Sequence, residues 1–126
     1  MARPMNVRIS ALPHWNATAI RVDASKRYRL TADGTWWDWN NQAGPEGYPS
    51  RNAAMRLVER FRRVPTADWF ALIATLDRDA STAWVVGRAL EIVPERSGEL
   101  VCFANDLVGF YWNNSGFVTL TVDELP

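Results

Sequence analysis

The chain has 126 residues, no net charge at pH 7, and a composition that is 48% hydrophobic and 22% charged. That balance describes a single globular domain over residues 1–126 with apolar mass for a two-layer core; it excludes a disordered chain and gives no bulk attraction to nucleic acid. A lone cysteine, Cys102, excludes an intrachain disulfide, and together with a lone histidine, His14, it excludes a Cys/His metal cluster.

The N-terminal "MARPMNVRIS" lacks a hydrophobic signal core, and no apolar run reaches membrane-spanning length. The expectation is cytoplasmic synthesis without a signal peptide, no membrane insertion, and export by another route left open. In "LPHWN", His14 beside Trp15 reads as a packed residue, not a catalytic base. "TAIRVDASKRYRLTAD" alternates on both sides of a short polar turn, with Ile20 and Val22 before it and Tyr28, Leu30 and Ala32 after it, which predicts a β-hairpin. Next comes "ADGTWWDWNNQAGPEGYPS", where tryptophans run into a loop rich in Asn, Gly and Pro. Rings beside amides are what a sugar-binding surface uses, although some of these rings must serve as core lids.

In "RNAAMRLVERFRRVP", Ala54, Leu57, Val58 and Phe61 recur at helical spacing until Pro65, predicting one short amphipathic helix. Its arginines (Arg51, Arg56, Arg60, Arg62 and Arg63) read as a solvated face whose stems cover a sheet edge. "DWFALIATLD" and "STAWVVGRALEIV" predict two further strands, the second continuous and buried. Between them "DRDAS" imitates the start of an EF-hand loop, but Thr82 and Arg88 stand where glycine and glutamate are required, so it reads as a hairpin tip. "GELVCFAND" carries Cys102 as a core thiol, and "GFVTLTVDEL" closes the chain. Short strands at even spacing predict an all-β sandwich with one short helix.

The segment "NDLVGFYWNNSG" joins the last two strands and holds Asp106, Asn113 and Asn114. With a carbonyl from around Phe110 these supply four oxygens, fewer than the roughly six to eight that calcium takes. The gap leaves room for neutral hydroxyl ligands such as a sugar diol. Local chemistry alone favours the plainer reading, in which "NNSG" is a hairpin turn and Asp106 a turn-forming side chain.

Together these stretches resemble the small calcium-dependent galactose-binding lectins of the bacterial Pseudomonas type. The likeness runs from the region of Ile20 to Val122 and is strongest in "ANDLVGFYWNNSGFVTLTV". It implies a jelly-roll-like β-sandwich with one calcium ion. The ion's side-chain ligands would be Asp106, Asn113 and Asn114, with carbonyls from Phe110 and Trp39. It further implies sugar hydroxyls bound directly to the ion and hydrogen-bonded by Asp106, Asn113 and Asn114, and assembly into a homo-oligomer. The family's sugar-reading His-Pro and following Gln are matched here only by Tyr48-Pro49 and Arg51, which become the candidates for selectivity. Trp36, Trp37, Phe110 and Trp112 replace small residues around the site, so galactose is not implied as firmly as calcium. The expected function is a non-enzymatic, calcium-dependent carbohydrate-binding module. The alternative is a protein–protein interaction domain with a structural calcium and an arginine-rich face.

Overall fold

A computed structural model describes residues 3–126. Nine strands form two antiparallel sheets: β1 (Met5–Ser10), β2 (Asn16–Val22), β3 (Arg27–Asp38), β4 (Asn41–Ala43), β5 (Leu72–Leu76), β6 (Asp79–Val85), β7 (Ala89–Ile92), β8 (Gly98–Ala104) and β9 (Asn114–Leu125). The first sheet runs β1-β9-β3-β4 with β7 also on β3, and the second runs β2-β8-β5-β6. A six-residue helix, α1 (Ala53–Val58), and two 3-10 turns, Glu59–Phe61 and Val108–Asn113, complete the chain. The expected all-β sandwich with one short helix is therefore present.

The core lies between the sheets because period-two strands bury alternate residues. Ile9, Leu30, Trp36, Val118 and Leu120 enter it from the first sheet, and Ile20, Val22, Leu72, Leu100 and Cys102 from the second. Burial pushes the Cys102 thiol up to about 12, which makes it an inert core group, as expected.

Three expectations need correction. The strands around "DASK" exist, but they are not a hairpin: β2 pairs with β8, and β3 pairs with β9, β7 and β4. The polar turn carries the chain from one sheet to the other. "STAWVVGRALEIV" is two strands in opposite sheets, broken where Gly87 takes φ +58°. Its first half, β6, is an edge strand paired only with β5 and mostly accessible, not a buried one. Finally, α1 ends at Val58 and buries none of its residues fully. Met55 and Val58 lean on the core, while Leu57 and Phe61 of the expected apolar stripe face solvent at 75% and 60% exposure. "DRDAS" is a hairpin tip as read, with Asp77 and Arg78 both at positive φ between β5 and β6.

Candidate functional site

The site lies at the end of the sandwich where β8 stops, β9 starts and β3 leaves its sheet. "NNSG" is not a hairpin turn. Asn114 already belongs to β9 and pairs with Asp38 of β3, while Gly116, at φ +81°, sits opposite Trp36. A Cβ on Gly116 would come within 3.0 Å of the Trp36 Cα, so the close approach of β3 and β9 here depends on glycine. The reversal of the chain is made instead by the 3-10 turn Val108–Asn113.

Asp106 follows β8 directly and is buried, with 3% of its surface accessible. Its Oδ1 accepts from the Leu107 amide at 2.7 Å, the turn-forming contact expected of it, and its Oδ2 accepts from Asn114 Nδ2 at 3.2 Å. The Asn114 amide also donates to the Ala11 carbonyl at 3.0 Å, which fixes its orientation. That leaves the Oδ1 of Asn114 without a hydrogen-bond partner, and the buried Oδ1 of Asn113 is in the same condition. The backbone carbonyl of Asn113 accepts from Trp39 N at 3.0 Å, which draws the end of β3 against this loop.

A second carboxylate stands beside the first. Asp38 shares the inner face of β3 with Trp36 and is directly opposite Asn114 in register. Its Oδ2 accepts from the Tyr48 hydroxyl at 2.9 Å. Burial, with the Asp38 charge adding to it and the bonds from Leu107 and Asn114 opposing, pushes the Asp106 carboxyl up to about 7. Burial raises Asp38 as well, with the Tyr48 bond opposing. Burial, ahead of the Asp38 charge, holds the Tyr48 hydroxyl well above its ordinary range, so that group is a donor at all working pH.

The other sequence candidates fall into distinct places. Tyr48 is 5% exposed and paired by backbone to Trp69, so it forms the wall behind Asp38 and not a freely accessible reader. Arg51 lies over the Tyr48 ring at 4.2 Å and donates to Asn41 Oδ1 at 3.0 Å. Phe110 and Trp39 both present exposed rings, at 51% and 72%, and Trp112 reaches 75%. Trp36 is fully buried in the core, whereas Trp37 lies on the outer face of β3, so neither ring closes the site.

The arginine segment is less available than its sequence suggests. Arg62 is buried, stacks near Trp69 and donates to the Pro65 carbonyl at 2.7 Å. Arg63 lies 3.5 Å over Phe103, contacts the Trp15 and Tyr111 rings, and donates to the His14 carbonyl and the Tyr111 hydroxyl. These two arginines hold the loop to the body and are not part of a solvated face. His14 packs edge-on against Tyr111 with its Nε2 2.8 Å from the Val108 carbonyl, and no carboxylate or nucleophile bonds to it.

Two residues of this cluster escaped the sequence reading. Asp38 is hidden among the rings of "TWWDW", and its period-two placement with Trp36 was the available signal. Asn105 is fully buried and structural. Its Oδ1 accepts from Val64 N, and its Nδ2 reaches the carbonyls of Val64, Ala67 and Asp68, clamping the segment that precedes β5 beside Asp106.

Among the described residues no three His, Cys, Asp or Glu side chains come together. The donors here are two carboxylates and two amides, a set such a grouping does not count. Two buried amide oxygens without partners and a desolvated carboxylate suit a hard cation that takes oxygen ligands. A surface hollow of about 530 Å³ beside Ser81, Trp84, Glu95 and Arg96 lies on the second sheet, and no unpartnered buried polar atom lines it.

No family model and no curated protein matches the chain. A solved structure described as "EclA N-terminal domain; PllA-like lectin" matches it with a TM-score of 0.72 at 18% identity, over 95% of each chain. At that identity the likeness shows a shared lectin-type fold.

Proposed function

We propose that this chain is a calcium-dependent carbohydrate-binding module. The observation that carries the reading is the buried Asp106 carboxylate bonded to the Asn114 amide, whose oxygen is unpartnered, together with the buried, unpartnered amide oxygen of Asn113 one residue earlier in the chain. Leaving buried acceptors unmade costs about 1–3 kcal/mol each, so a site that keeps two of them is built for something that supplies the missing partner. Asp106, Asn113 and Asn114 would hold calcium, with backbone oxygens from Phe110 in the same loop and from Trp39, whose amide bonds the Asn113 carbonyl. Calcium, when bound with an incomplete protein shell, supplies positions for two neighbouring hydroxyls of a sugar. The residues do the rest. The Asn114 amide, locked by Ala11 and Asp106, fixes the direction of its free oxygen. The exposed rings of Trp39, Phe110 and Trp112 offer apolar faces to the C–H faces of a glycan. The "PllA-like lectin" description of the structural neighbour agrees with this reading.

The second reading is a protein-binding module of the same fold with a structural calcium. It is favoured by the exposure of Leu57 and Phe61, which no element of this chain covers. A calcium titration of chelator-stripped protein, followed by a panel of monosaccharides and glycans in calcium buffer, separates the two. Saturable calcium binding with calcium-dependent sugar binding supports the proposal. Calcium binding without any sugar favours the protein-binding module, and no calcium binding at high concentration removes both. Asp106→Ala should abolish calcium and sugar binding together.

A further inference from the structure

The resemblance to the lectins supplies one carboxylate for the cation, Asp106. The structure brings a second. Asp38 is the cross-strand partner of Asn114, and directly opposed residues point their side chains to the same face. The Asn114 amide in turn bonds Asp106 Oδ2 at 3.2 Å, so Asp38 and Asp106 flank one buried amide. Asn114 itself is 5% exposed and keeps an unpartnered Oδ1 in this cluster. Asp38 is not free to swing out, because the Tyr48 hydroxyl holds its Oδ2 at 2.9 Å. Tyr48 is itself wedged between its Trp69 bridge and the Arg51 guanidinium.

A buried carboxylate and a half-buried one with no cation of the protein between them repel each other. Arg51 is turned onto the Tyr48 ring and Asn41, and Arg63 onto Tyr111, Phe103 and Trp15, so neither forms an ion pair with Asp38 or Asp106. The missing countercharge is what a multivalent cation would provide. We propose that Asp38, positioned by Tyr48, is a second carboxylate of the cation site and sets its affinity and charge preference together with Asp106. This rests on the calcium reading above.

The test compares wild type, Asp38→Asn, Tyr48→Phe and Asp106→Asn in calcium calorimetry and in terbium luminescence excited through the nearby tryptophans. Asparagine keeps the acceptor for Tyr48, so Asp38→Asn removes charge and leaves the wall standing. Asp38→Asn should weaken calcium binding roughly 10- to 100-fold and terbium binding by a larger factor, because the lost interaction scales with the ion's charge. Tyr48→Phe should weaken both less. Unchanged affinity in Asp38→Asn alongside a loss in Asp106→Asn overturns the role of Asp38 and leaves the calcium reading intact. Equal losses for the two ions mark Asp38 as structural only and also overturn it. A wild type that binds neither ion overturns the calcium reading itself.

Discussion

The desolvated Asp106 carboxyl makes a prediction that needs no ligand. In the folded, cation-free chain it titrates at about 7 against an ordinary 3.8, because burial disfavours its charge. For an acid raised on folding, the native state binds more protons than the unfolded one, so its contribution to stability is present at low pH and lost as pH rises through the folded value. At about pH 5 the folded protein still holds the proton while the unfolded chain has released most of it, a contribution of about 3 kcal/mol; at about pH 8 both have released it and the contribution is gone. Asp38 is raised in the same sense. Exposed Asp77, Asp79 and Glu91 are lowered and act in the opposite sense in the acid range, but they are common to any variant at position 106.

The measurement is urea unfolding of chelator-stripped wild type and Asp106→Asn between about pH 5 and pH 8, read as the difference between the two proteins. Asparagine forfeits or rearranges one hydrogen bond to Asn114, a cost that does not vary with pH. Wild type should therefore lose about 3 kcal/mol relative to the variant across that window. Excess calcium should restore wild-type stability at the alkaline end far more than at the acid end, since the bound form requires the carboxylate. Parallel stability curves for the two proteins would refute the reasoning, for they would mean that Asp106 is solvated or charge-compensated in solution.

Three further outcomes follow from the contacts around the site. Asn105→Ala should cost about 3 kcal/mol in denaturant unfolding, because it strands the Val64 amide and removes the clamp on the Ala67 and Asp68 carbonyls. Arg63→Ala should lower stability by about 2–3 kcal/mol through its lost ring contacts and hydrogen bonds, whereas Arg60→Ala, exposed and touching only Phe61, should stay within about 0.5 kcal/mol. Gly47→Ala would place a Cβ 2.2 Å from the Trp69 carbonyl oxygen at a φ of +73°. It should cost at least about 3 kcal/mol and loosen Tyr48, seen as exchange broadening of its ring resonances in NMR spectra.

Strands such as β2 and β3 were legible because their faces repeat with period two, and β5 and β8 because short apolar runs are bounded by turn residues; every predicted strand segment does carry a strand. Their pairing was not legible. Alternation at Ile20 and Val22 and again at Tyr28 and Leu30 says that both segments bury one face. It does not say whether they lie side by side or look at each other across the core. Gly87 was the readable break in "STAWVVGRALEIV", but its apolar run disguised an edge strand whose last residue, Val85, is half accessible. The short helix is present, but its apolar stripe is not: six residues are too few to lay a stripe on the core, so Leu57 and Phe61 stay out. At the site, sequence gathered Asp106, Asn113 and Asn114 by chain proximity, and the structure does bring Asp106 and Asn114 into contact. Asp38 comes from a strand distant in sequence, and only the β3–β9 register puts it there.

What a sequence cannot display is an absence of partners, and at this site that absence is the chemical signal. A turn-forming Asp and a pair of asparagines are ordinary when water satisfies them. Here Asn105 and Arg63 pin the segment before β5 on one side of Asp106, while Asn114 is fastened to Ala11 on the other. With both flanks fixed, the bonds from Asn114 to Asp106 and from Tyr48 to Asp38 still leave the Asn113 and Asn114 amide oxygens unmade, and these donors remain preorganised at a desolvation cost the rest of the sandwich must offset. A site held in that state gains most from a ligand that brings positive charge and accepts oxygen donors in a loose geometry. The rigidity that Asn105 and Arg63 give to the chain around Asp106 therefore bears on the donors themselves: variants that loosen either flank should weaken cation binding even though their side chains supply no donor to the ion.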